Sequence, residues 1–226
     1  MSTPPPLAIF DLDHTLLSGD SDVLWCDFLV RQGLAAPDQQ ARNQALDAAY
    51  RDGSVGVAAY CDFHAALLAG HTPAHWAPWC ERFLQAEVLP RIPAAARALV
   101  ERHRSAGHRL LMSTATNRAI SQRTAEALGF EHLIATELEL VDGRYSGRTT
   151  GTPNMRDGKV ARLLDWLSAR GEPATGLRHA HFYSDSANDL PLLRAVGLPV
   201  VVDPDPRLLA EATVRAWPVL RLVRTP

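Results

Sequence analysis

From Pro93 onward the chain alternates short apolar runs with amphipathic stretches closed by glycine, and this alternation constrains the fold more than any other feature. It predicts a helix over 93–106 ending at Gly107, a strand over 109–113 and a helix from Asn117 to Gly129. A short strand at Leu133–Ala135 follows, then a hairpin from Glu137 to Arg148 turning at Asp142-Gly143. Next come a helix over 157–169, a strand over 180–184, a helix from Asn188, a strand over 199–202 and a last helix near 205–213. Repeated βα units require a parallel sheet with helices on both faces.

One more apolar run, Leu7-Ala-Ile-Phe10, belongs to the same sheet although a long stretch with no convincing strand follows it. That stretch reads as helices starting at Asp20 or Ser21, over 38–52 and over 55–69, and from a Thr72-Pro73 cap to about Leu89. The expected architecture is a Rossmann-like, three-layer α/β/α core with a parallel sheet, built from residues 1–17 and 91–226. An all-helical cap, residues 18–90, is inserted after the first strand.

Composition narrows the function classes. The 23 basic and 25 acidic side chains leave a formal charge of -2, which provides no global field for a nucleic acid or an anionic membrane. No apolar run approaches the roughly 20 residues needed to span a bilayer. The first residues lack the cationic flank and apolar region of a secretory signal, so a cytoplasmic location is expected. The three cysteines form no C-x-x-C unit and read as packed, reduced thiols. His103, His108, His179 and His181 show no metal-ligand spacing and read as surface or packing residues, and His14 reads as a solvent-facing loop residue.

In open α/β sheets ligands bind at the carboxyl ends of the strands. Four groups of chemistry-bearing residues fall there: Asp11-x-Asp13-x-Thr15, Ser113-Thr114, Lys159 at a helix start, and Asp185-Ser-Ala-Asn188-Asp189. Together they gather Asp11, Asp13, Asp185 and Asp189 on one rim. Carboxylates about 4 Å apart repel by roughly 4 kcal/mol per pair at an effective dielectric near 20, so such a rim calls for a cation. Oxygen ligands without histidine or cysteine suit Mg²⁺, and Mg²⁺ suits phosphoryl chemistry. Lys159 is the single lysine of the chain, the other 22 basic residues being arginine. A compact ammonium enters a narrow anion pocket that a guanidinium fork does not.

In order and spacing these four groups resemble the signature motifs of the haloacid dehalogenase superfamily. The helical insert resembles the cap of its phosphoserine phosphatase-like and histidinol-phosphate phosphatase-like branch. The resemblance implies a Mg²⁺-dependent phosphomonoester hydrolase acting through an aspartyl-phosphate on a small phosphorylated metabolite of the phosphoserine or histidinol phosphate type, without nucleic-acid or membrane partners. It implies Asp11 as nucleophile, Asp13 as general acid and base, and Thr114 with neighbouring backbone N–H groups, Ala115's included, as phosphate ligand, Ser113 being the alternative hydroxyl. Lys159 would stabilise the transferring charge, Asp185 would complete a metal site with Asp11 and Asp13, and Asn188 and Asp189 would hold the lysine and metal-bound water from behind. Asp20 resembles the acid that binds the substrate amine, and it also reads as a helix N-cap. The same residues would serve a phosphotransferase with another acceptor, or a non-catalytic phosphate-binding regulator.

Overall fold

The computed structural model describes residues 4–222, with the side chain of Arg51 excepted. Its centre is a seven-stranded sheet in the order β4-β3-β2-β1-β5-β6-β7. β1 (Leu7–Phe10) pairs in parallel with β2 (Arg109–Asn117) and with β5 (His181–Ser184), so the N-terminal strand is central despite the insertion that follows it. β6 (Leu198–Val202) and the two-residue β7 (Val219–Leu220) extend the parallel sheet on one side, and β3 (His132–Val141) extends it on the other. Only β4 (Arg144–Thr150) runs antiparallel, against the second half of β3.

Side chains alternate across β1 and divide the core. Ala8 and Phe10 enter one apolar cluster, while Leu7 and Ile9 enter the cluster of the opposite face. The helices follow from this division. α7 (Asp157–Ser168), α8 (Leu190–Ala195) and α9 (Pro206–Val214) contribute Leu163, Leu167, Leu192, Leu193 and Leu208 to the Ile9 face. α5 (Ala94–Ser105) and α6 (Arg118–Ala127) pack Leu99, Val100 and Ile120 on the Phe10 face.

Between β1 and α5 the described chain is helical: α1 (Ser21–Arg31), α2 (Gln39–Asp52), α3 (Val57–Ala66) and α4 (Pro73–Phe83). In this insert Trp25 stacks on Phe28 and meets Phe83 edge to face, and all three join the same apolar cluster as Phe10 and Met112. Two backbone bonds, Gly70 N–H to Tyr145 O at 2.8 Å and Tyr145 N–H to His71 O at 3.0 Å, fasten the insert to β4. Asp62 accepts both the backbone N–H and the hydroxyl of Thr149 at 2.7 Å. The Ser18 N–H donates to the Arg91 carbonyl at 2.9 Å, so the insert leaves and returns at one point.

Three local differences from the sequence reading have physical causes. The helix expected to reach Leu89 ends at Phe83 and widens into a π turn, Leu84–Val88, with Leu84 and Val88 buried, followed by a 3₁₀ turn, Leu89–Arg91, where Pro90 has no N–H to continue an α-helix. The short strand at 133–135 and the first arm of the hairpin are one strand, because β3 changes partner from β2 to β4 without a break. Its turn has positive φ at Asp142 (49°) and Gly143 (75°), the requirement of a two-residue I′ turn. β2 continues four residues past Ser113, with a register shift between Ser113 and Asn117. The three cysteines are free and buried. No helix among the described residues is long and apolar enough to cross a membrane.

Candidate active site

The carboxyl ends of β1, β2 and β5 meet the start of α7 around a cavity of about 140 Å³. Asp11 follows β1 directly, and its N–H is tied to the Tyr183 carbonyl at 3.0 Å. Lys159 reaches it from the first turn of α7, donating from Nζ to Asp11 Oδ1 at 2.8 Å and to Asp189 Oδ2 at 2.7 Å. The approach depends on Gly158, where a Cβ would stand 2.1 Å from the Pro153 carbonyl oxygen. Ser184, the last residue of β5, donates its hydroxyl to the same Asp189 oxygen at 2.8 Å.

Thr15 joins the other two strand ends. Its hydroxyl lies 3.0 Å from Asp185 Oδ1 and 3.5 Å from Asp11 Oδ2, and it accepts the Asp185 N–H at 3.0 Å. The loop that carries Asp185, Asn188 and Asp189 is pinned from behind by Asp205, which accepts the Ala187 and Leu208 N–H groups, each at 2.7 Å. Asn188 and Asp189 both line the cavity.

The opposite wall comes from the insert. Asp20 caps α1, accepting the N–H groups of Asp22 at 2.9 Å and Val23 at 3.0 Å, and it also lines the cavity, so both roles read from the sequence are open to it. Asp13 is held between insert and sheet. The Ser21 N–H donates to its Oδ1 at 2.7 Å and the Thr116 hydroxyl to its Oδ2 at 2.9 Å. Tyr60 of α3, Met155 and Asp22 complete this side.

The hydroxyl pair on β2 separates. Ser113 turns away from the cavity and its Oγ accepts from Asn154 Nδ2 at 3.1 Å. Thr114 is fully buried immediately behind the wall, its Oγ1 accepting the Thr116 N–H at 3.2 Å. Ala115 and Thr116 form the lining itself. Thr116, Tyr60 and Met155 were not marked by the sequence; Thr116 could have been found only by carrying β2 beyond its apolar run. His14 is exposed and lies on the rim, with φ 55°.

Burial dominates the electrostatics. It holds Asp11 well above the usual carboxylate range, Lys159 pulling the other way and Asp189, Asp185 and Asp13 adding repulsion. Burial would lower the Lys159 ammonium, but Asp11 and Asp189 outweigh it and hold the group above its ordinary value. Asp185 is pushed up to about 7 by burial, against the Thr15 hydrogen bond. Asp20 and Asp22 are each pushed up to about 7, first by burial and then by Asp13. The donor set converging from Asp11, Asp13 and Asp185 is entirely oxygen and carries excess negative charge, which fits a hard divalent cation and not a thiophilic one.

A family model of haloacid dehalogenase-like hydrolases matches residues 8–194. The chain is 41% identical over 216 residues to a histidinol-phosphatase of Neisseria meningitidis, covering 95% of this chain and 97% of that protein. A crystal structure of a Bordetella pertussis protein of unknown function is 42% identical, with a TM-score of 0.92 and coverage of 96% of this chain and 99% of that one. A phosphoserine phosphatase structure with a phospho-aspartyl intermediate analogue shares the fold, with a TM-score of 0.70, 15% identity, and coverage of 98% of this chain and 95% of that one.

Proposed function

Since the chain belongs to the haloacid dehalogenase-like hydrolases, we propose that it is a Mg²⁺-dependent phosphomonoesterase. Its substrate in this reading is the phosphate ester of a small alcohol that carries an amine, of the histidinol phosphate type rather than phosphoserine. One observation carries the substrate choice. Six carboxylates line the cavity, Asp11, Asp13, Asp20, Asp22, Asp185 and Asp189, and among the described residues Lys159 is the only lysine or arginine there. That ammonium is already shared between Asp11 and Asp189. A substrate carboxylate would face Asp20 and Asp22 with no guanidinium to receive it. Arg31 pairs with Glu87 at 2.6 Å, Arg82 stacks over Trp79 at 4.8 Å and Arg42 donates to Gln39 at 3.3 Å. The Arg51 side chain lies outside the described residues. An ammonium, by contrast, would neutralise this wall. The 41% identical relative named histidinol-phosphatase supports the same choice.

In this reading the Asp11 carboxylate attacks phosphorus and the ester oxygen leaves, giving an aspartyl-phosphate that water then hydrolyses. Lys159 opposes the upward pull of burial on Asp11 and offers a positive charge to the transferring group. Asp13 gives a proton to the leaving oxygen and later takes one from water, and the Ser21 N–H and Thr116 hydroxyl aim its carboxyl. The Ala115 N–H faces the phosphate from the lining, Thr114 supports that turn from behind by accepting the Thr116 N–H, and Asn188 and Asp189 orient the lysine and the loop. Asp11, Asp13 and Asp185 would hold Mg²⁺, which supplies charge neutralisation for the phosphoryl group.

Residues 18–90 act as a cap over a core of 1–17 and 91–226, and the Ser18–Arg91 bond at its base supports that division. Because Ser21 holds Asp13, seating of the cap and aiming of the acid are one event. The test is phosphate release from a panel of monoesters with and without Mg²⁺. Turnover that requires Mg²⁺ and favours amine-bearing esters is expected, and a panel left intact would overturn the proposal.

A further inference from the structure

At the amino ends of the strands, away from the acidic rim, three histidines distant in sequence meet. His103 lies near the end of α5, His108 just before β2 and His181 at the start of β5. Their ring centroids are 4.9 Å apart for His103 and His108, 4.8 Å for His103 and His181, and 5.5 Å for His108 and His181. One ring nitrogen from each lies within 4.8 Å of the others. The sequence reading assigned all three to surface or packing, because 103, 108 and 181 follow no ligand spacing; only the parallel pairing of β1 with both β2 and β5 brings them together.

The backbone presets two of the three. α5 ends in a Schellman turn, with the His108 N–H on the His103 carbonyl at 3.1 Å, the Gly107 N–H on the Arg104 carbonyl at 2.9 Å, and φ 74° at Gly107. In that turn the side chains at the positions of His103 and His108 ordinarily make an apolar contact. Here the contact is between two imidazoles whose Nδ1 atoms stand 2.7 Å apart. His103 Nε2 is 2.8 Å from the Tyr183 hydroxyl, a partner that fixes the ring and, in the tautomer protonated at Nε2, leaves the Nδ1 lone pair facing His108. His181 Nδ1 is buried with no hydrogen-bond partner, a costly condition for a ring nitrogen.

We infer that His103, His108 and His181 form a binding site for a divalent transition ion of the zinc class, separate from the acidic rim. Three imidazoles without carboxylate suit Zn²⁺, Cu²⁺ or Ni²⁺ and not Mg²⁺. Zn–N bonds of about 2.0–2.1 Å in a tetrahedron place ligand nitrogens roughly 3.4 Å apart, so the His103–His108 pair must part by under about 1 Å and His181 must close in. His108 and His181 are half-buried, which leaves the fourth position accessible to water. Burial holds His103 down at about 4 and lowers His181, which favours in these two the neutral ring a ligand requires. Arg102, whose positive charge acts on the Tyr183 hydroxyl, opposes a cation, but it is exposed and its charge is screened. The bound ion would staple the end of α5 to β5.

The test uses tag-free full-length protein saturated with Mg²⁺ and titrated with Zn²⁺, with Co²⁺ as the spectroscopic probe. The expected result is one equivalent of Zn²⁺ binding with a rise in Tm, and a tetrahedral nitrogen-ligated Co²⁺ absorption band. His108→Phe, which restores the ordinary apolar contact of the turn, should weaken Zn²⁺ by at least about 100-fold and abolish the Tm rise while leaving Mg²⁺-dependent turnover unchanged. His181→Phe should do the same. Absence of the extra equivalent in the wild type, or equal affinity in the His108→Phe protein, would overturn the inference.

Discussion

Two acidic groups face each other across the same cavity, and the chain treats them differently. On the floor, Asp11 and Asp189 share Lys159, which is buried between them. On the wall given by the insert, Asp20 and Asp22 stand beside Asp13, and Asp22 Oδ1 is buried without a hydrogen-bond partner. Buried charge without a counterion is costly; the floor has an ammonium of the chain itself beside the carboxylates that would hold Mg²⁺, while among the described residues lining the wall there is no lysine or arginine. Under the proposed function the floor is where a constant reaction is built, and the wall is where one substrate is told from another.

The largest effect that can break this comparison is at the floor. Asp11→Asn should lower kcat by about a million-fold, to background, with an unchanged circular dichroism spectrum, because Asp189 still holds Lys159. Retained turnover would remove the nucleophile from the account. Lys159→Arg should cost at least about 100-fold in kcat, since the planar fork does not fit where one Nζ reaches two carboxylates at 2.8 and 2.7 Å.

At the wall the sign of the stability effect reverses. Asp22 is held at about 7 in the folded chain against 3.8 as its ordinary value, so the folded state binds the extra proton between those limits. Its contribution is favourable below pH 4 and is lost as pH rises through 7. Asp22→Asn should therefore stabilise the substrate-free protein by about 1–3 kcal/mol at pH 8 and by much less at pH 4.5, as read from urea melts at the two pH values. An equal shift at both would show that the wall is neutralised within the chain. The smallest effect sharpens the boundary between the two regions. Thr116→Val should reduce kcat about tenfold with little change in KM by loosening Asp13, whereas Ser113→Ala, behind the wall, should leave kcat intact.

The floor was legible in the sequence because each of its residues follows an apolar strand or opens a helix, positions that the α/β topology sends to one rim. The sheet was legible for the same reason, down to the Asp142-Gly143 turn. What escaped was set by tertiary contacts. Thr-Ala-Thr-Asn117 carries no apolar run, so the sequence reading ends the strand at Ser113, and Thr116 acquires its role only through Asp13, Asp22 and Ser21. Tyr60 reaches the cavity because the insert is fastened to β4 far along the chain, and Met155 comes from the residues just before α7. β3 concealed its length because half of it answers to a parallel partner and half to an antiparallel one.

The most direct test of the division between floor and wall is a comparison of kcat/KM for histidinol phosphate and for the same ester lacking its amine, in wild type and in Asp22→Asn. The account predicts a preference of at least about 100-fold for the amine in the wild type, falling by roughly tenfold or more in the variant with Mg²⁺ dependence retained. Equal kcat/KM for the two esters in the wild type would contradict it.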